Sequence, residues 1–192
     1  MIEYIKIIGC KIMYTDKELL EIRKAIYEYT AEQLMWQVLY INCAALHSPN
    51  LNAVRNKLLA LPRYFELIML NTVNTPVVQD LIHVVYEENR LFVDYVDSIF
   101  NNGTDTQLIK QKIDENVIYI AKYLNKINPQ WGISEWLTLI NHQMELINSV
   151  IEHAKKGNYE TWAEVLPFIR KIEMDIAEYL SHGISGLLQK EH

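Results

Sequence analysis

Apolar residues recur every three or four positions from Asp16 almost to the end of the chain, the period of an α-helix that buries one face. The interruptions are short and chemically legible. A first run opens at Asp16, read as an N-cap, and stops at His47-Ser48-Pro49-Asn50, where the proline disfavours helical geometry in the residue before it. A second covers 51–72, with Pro62 predicting a kink or a one-turn break. The third, 75–100, ends at Asn101-Asn102-Gly103, and the fourth runs from Thr104 or Asp105 to Asn128-Pro129. The fifth starts near Ser134 and closes at Lys155-Lys156-Gly157, with cations suited to a helix C-terminus. The sixth runs from Asn158 to Ser181, closed by His182-Gly183 and bent at Pro167. Six helices on short loops predict an all-α fold, an antiparallel up-and-down bundle over 16–189 behind an N-terminal extension of residues 1–15.

Composition narrows the class further. Only 6 Gly and 5 Pro serve 192 residues, too few for the hairpins of an all-β fold. A net charge of -6 offers no basic excess to neutralise phosphates, so no nucleic-acid partner is expected. No segment reaches the ~18–20 uninterrupted apolar residues of a membrane span, and no basic amphipathic stretch marks a membrane surface. The first thirteen residues are apolar but broken by Glu3, Lys6 and Lys11, unlike a signal peptide. Cys10 and Cys43 form neither a metal motif nor a redox pair, which points to a reducing compartment and hence the cytoplasm.

An internal repeat accompanies the helical pattern. Leu91-Phe92-Val93-Asp94-Tyr95-Val96 aligns with Glu145-Leu146-Ile147-Asn148-Ser149-Val150 at a separation of 54, which also relates Gly103 to Gly157. Ile120-Ala121-Lys122-Tyr123-Leu124 aligns with Ile176-Ala177-Glu178-Tyr179-Leu180 at 56. The third and fourth helices thus read as one hairpin copied in the fifth and sixth.

Unrolled at 100° per residue, four helices carry a polar side chain inside their apolar stripe: Glu88, Asn116, Gln143 and Glu173, with His142 at the stripe's border. Antiparallel packing brings these midpoints to one level, a buried polar layer. In its functional reading Glu88, His142 and Glu173 ligate a divalent metal, with Asn116 and Gln143 outside them. The Glu-x-x-His pair of di-iron bundles is absent; its nearest variant, Asp80-Leu81-Ile82-His83, lies towards the polar face. In its structural reading the layer is a satisfied hydrogen-bond network that fixes register, with Tyr64, Tyr95 and Tyr123 as donors. The first helix, with Trp36, Tyr40 and Cys43, is apolar nearly all round, which places it at the bundle's centre or in a dimer interface. No phosphate loop or nucleophile elbow is present, and Gly183-Ile184-Ser185-Gly186 lacks the pattern and the strand that an elbow requires.

Three phrases, Ser48-Pro49-Asn50-Leu51, Asn128-Pro129-Gln130-Trp131 and Leu180-Ser181-His182-Gly183-Ile184, resemble an uncharacterised family of small helical proteins from spore-forming Gram-positive bacteria. The resemblance spans 33–184. It implies successive helical hairpins with inward His, Asn and Asp residues. Gln33 stands where that family's first His falls, with Trp36 kept; the second falls at Glu88 or Asn89, and the third is His142. Asn116 is kept, its Asp partner becomes Ile118, and the acid of the last helix appears as Glu178. These departures imply that any metal site of the family is weakened here.

With no complete catalytic constellation, the leading expectation is a non-enzymatic, homo-oligomeric interaction protein. The alternative is a metal- or small-ligand-binding bundle of ferritin-like or hemerythrin-like architecture.

Overall fold

The computed structural model describes residues 14–190 except 74, 102 and 104. Among them every regular element is helical: α1 Asp16–Ala45, α2 Leu51–Ala60, α3 Pro62–Thr72, α4 Pro76–Phe100, α5 Thr106–Ile127, α6 Ile133–Lys155 and α7 Tyr159–Lys190. Leu61 alone separates α2 from α3, and Pro62 opens α3 at the first position, where its missing N–H costs nothing. Seven segments therefore form six rods, as the apolar spacing predicts. Residues 1–13 of the expected N-terminal extension, Cys10 among them, lie outside the described residues.

Local chemistry sets the helix ends. Thr15, not Asp16, caps α1: the Thr15 side chain accepts from the Glu18 N–H while the Glu18 carboxylate accepts from the Thr15 N–H, a reciprocal box. At the other end Ser48 N–H reaches Cys43 O and His47 N–H reaches Ala44 O, with His47 in the left-handed region at φ 48°. The same pair of bonds closes α6 around Gly157, φ 69°.

The sixth helix departs from its expected length. Instead of stopping at His182-Gly183, α7 continues to Lys190. Gly183 is there because the Trp131 indole lies against it: a Cβ on Gly183 would fall 1.8 Å from Trp131 Nε1. That indole donates to Tyr179 O, Asn128 Nδ2 donates to Gly183 O, and Tyr179 OH donates to Gly132 O. The glycine marks a close approach of the α5–α6 connection to α7, not a helix end.

Packing is centred on α1, which touches α2, α3, α4, α6 and α7. The most extensive pairings are α4 with α5, α6 with α7, and α1 with α7. Ser98 meets Thr106 near the α4–α5 turn while Val84 O meets Asn116 deeper in, so these two helices run in opposite senses. The core is one cluster of Ile, Leu, Val and aromatic side chains drawn from every helix. Tyr40, fully buried on α1, donates to Asp97 Oδ1 at 2.6 Å, and Arg55 pairs with the second oxygen of that carboxylate.

Candidate functional site

The helix at the centre of the bundle turns an unusual face inward. The buried positions of α1 are Ile26, Tyr29, Thr30, Gln33, Gln37, Tyr40, Ile41 and Ala44, polar in their middle third. Leu20, Met35 and Leu39 of the same helix are exposed. Inward, Thr30, Gln33 and Gln37 line two cavities together with Glu88 from α4, Asn116 from α5, Gln143 from α6 and Glu173 from α7. The four side chains expected in the layer belong to it. Periodicity does not single out the α1 amides, because apolar residues surround them on every side and no stripe stands out against which they look misplaced; the family resemblance alone points to Gln33.

Two cavities interrupt this layer. The outer has about 40 Å³ open to the centre of a water-sized sphere and is bordered by Tyr29, Thr30, Gln33, Glu88, Trp136, Gln143 and Glu173 among apolar residues. The inner, about 20 Å³, is bordered by Gln37, Glu88, Asn116 and Gln143 among Leu91, Phe92, Ile113 and Ile147. Glu88, Ile140 and Gln143 belong to both. Thr30 and Glu173 also line a groove of about 430 Å³ on the outside of the α1–α7 seam, with Tyr27, Leu34, Met35, Arg170 and Met174. Groove, outer cavity and inner cavity thus follow one another through shared side chains.

The electrostatics of the layer follow from burial. Glu173 accepts a hydrogen bond from Gln143 Nε2, yet desolvation pushes its carboxyl up to about 8, helped by the neighbouring Glu88. Glu88 makes no hydrogen bond or ion pair, and burial alone pushes it up to about 7. By surface Glu88 is partly buried, and it borders both cavities. Near neutrality Glu173 is mostly protonated and Glu88 divided between its two forms, so the layer avoids holding two unpaired charges. The Tyr29 phenol is held well above its ordinary value by burial and then by both carboxyls.

Several buried polar atoms here have no partner: Gln37 Oε1, Asn116 Oδ1 and Trp136 Nε1. The Asn116 amide is half satisfied, donating from Nδ2 to Val84 O at 3.0 Å. Asn89, named with Glu88 only through the family resemblance, donates to Leu58 O and leaves its own Oδ1 unpartnered. Its role is to tie α4 to α2.

The expected metal triad does not assemble. The His142 side chain is 57% exposed and turned towards Glu145, because the stripe of α6 is centred on Gln143 and one residue earlier lies 100° away. Among the described residues no group of three or more His, Cys, Asp or Glu is placed to hold a metal ion. The expected tyrosine donors are engaged elsewhere: Tyr64 with Glu28, Tyr95 with Asn148, and Tyr123 beneath the Lys126 ammonium. His182 is exposed beside Glu178, and His153 is partly buried.

What fold and site define is a helical bundle with a polar, partly hollow midsection. Among the described residues no helix is long and apolar enough to cross a membrane. Compared with protein-family models, curated proteins and solved structures, the chain matches none.

Proposed function

We propose that this protein is a non-enzymatic small-ligand-binding bundle, in which a ligand passes between α1 and α7 and is held against the mid-bundle polar layer. The observation that carries the reading is the series of groove, outer cavity and inner cavity joined through Thr30, Glu173, Glu88 and Gln143. Buried polar atoms without partners beside such cavities support a ligand site there. The hairpin repeat belongs to this reading: Val93 and Ile147, Val96 and Val150, Ile120 and Ile176, and Leu124 and Leu180 are buried at both members of each pair. A reducing compartment, the cytoplasm, fits an unpaired Cys43 on α1.

The test is native mass spectrometry, with elemental analysis, of protein purified without chelators or an affinity tag. A bound mass above the 22.6 kDa chain, released on denaturation and reduced in Glu173→Gln or Trp136→Phe, is the expected result. Stoichiometric iron, manganese or zinc in that mass assigns the ligand as a divalent metal. A bare chain in every preparation overturns the reading.

A second reading, self-association, rests on the outward side of the α1–α7 seam, where Met35, Leu39 and Met174 are 45%, 38% and 45% exposed. Arg170 and Glu28 border the same face, so a copy related by a two-fold axis can offset one with the other. Light scattering at micromolar concentration decides: a dimer that dissociates in Met174→Glu supports it, and a monomer refutes it.

A further inference from the structure

We propose that residues 2–8 of this chain dock, in extended form, in the apolar groove on the outside of the α1–α7 seam. The groove is longer than the part that Thr30 and Glu173 border. A further stretch of about 710 Å³ shares Leu34, Met35 and Arg170 with it, so the two form one channel. Its α1 wall runs from Tyr27 to Leu39 and its α7 wall from Met174 back to Ala163. Met35, Leu39 and Met174 stand exposed along it, apolar surface that a covering segment would remove from water. What the cavities behind the groove hold does not enter the argument.

Length, composition and charge select the occupant. The described chain begins at Tyr14, next to the start of α1. Before it come Ile2, Tyr4, Ile5, Ile7, Ile8 and Ile12, side chains that favour extended backbone. Folded back along α1 at about 3.3 Å per residue, against about 1.5 Å for the helix, Ile8 comes level with Tyr27 and Ile2 with Leu39. Residues 2–8 thus match the groove from end to end, whereas residues 1–13 coiled as a helix would stop at its mouth. The same spacing brings Lys6 within reach of Glu28 and Glu3 within reach of Arg170, which has no ion pair among the described residues. A tether this short holds the segment at an effective concentration on the order of millimolar, so at micromolar protein it takes the groove ahead of a second copy of the chain.

The experiment is disulfide mapping on the full chain carrying Cys10→Ser and Cys43→Ser. Ile5→Cys, level with Met35, is paired either with Met35→Cys in the groove or with Leu67→Cys, exposed in a separate groove beside Trp36. Under mild oxidation the Met35 pair should form an intramolecular disulfide about tenfold faster than the Leu67 pair, at a rate independent of protein concentration. Equal rates would mean that the segment wanders over the surface without docking. A disulfide joining two chains would assign the groove to a second copy, the self-association reading. Either result overturns the proposal. A second measurement keeps both native thiols: tryptic cleavage after Lys6 should quicken about tenfold in the Met35→Glu, Leu39→Glu double variant, since charge in the groove releases the segment. An unchanged cleavage rate would equally refute docking.

Discussion

Glu88 and Glu173 fold with carboxyls pushed up to about 7 and about 8, against ~4.3 for a glutamate in an unfolded chain. The native state therefore binds more protons than the unfolded state between these limits. Stability contributed by the two groups is complete below about pH 4 and is lost as pH rises through 7 and 8. Glu66 and Glu87, which Arg63 and Arg90 hold below the ordinary range, work in the opposite sense, and their contribution is lost on acidification below ~4.5. Thermal midpoints should accordingly be higher at pH 5.5 than at pH 8.5, and the slope should flatten in the Glu88→Gln, Glu173→Gln double variant. A wild-type midpoint that rises over this interval would contradict the burial of these carboxyls. Gly183 is the other residue whose neighbourhood dictates its identity. Gly183→Ala drives a methyl into the Trp131 indole, and the expected loss is about 2–3 kcal/mol by chemical denaturation.

At the scale of the element, α1 is instructive because its surroundings override its pattern. Its exposed apolar residues and buried amides invert the usual distribution, so solvent-side substitutions should be mild where sequence alone anticipates damage. Met35→Gln and Leu39→Gln are each expected to change unfolding free energy by no more than about 0.5 kcal/mol. The C-terminal end of α1 offers a gain. His47 holds φ 48° in the left-handed region with an ordinary side chain, and His47→Gly should stabilise by roughly 0.5–1 kcal/mol, read as a higher midpoint. For the later helices the stripes were legible, since Leu81, Val85, Ile120, Ile140, Ile147, Ile169 and Ile176 are all core residues. The end of α7 was not, because a glycine closing a helix and a glycine accommodating an indole look alike until Trp131 is placed. The phrases Asn128-Pro129-Gln130-Trp131 and Leu180-Ser181-His182-Gly183-Ile184 owe their chemistry to touching each other.

Over the whole molecule, the arrangement puts one helix against five others and runs a discontinuous hollow through the middle. Such an arrangement couples every rod but α5 directly to α1, and α5 reaches it through α4 and α6. Ile41, fully buried where α1 is surrounded, should cost about 2–5 kcal/mol on replacement by Ala, while unfolding in denaturant remains a single transition. Separate transitions for the N- and C-terminal halves would show that α1 does not join them.

The number of rods, the positions of most connections and four members of the polar layer were decided by the sequence, because helical period and turn chemistry are local properties of neighbouring residues. Tertiary structure alone decided that Gln37 faces inward, that His142 faces water, and that α7 runs on past Gly183. Each of these depends on which surface lies opposite, and a residue's own neighbours in the chain carry no record of that.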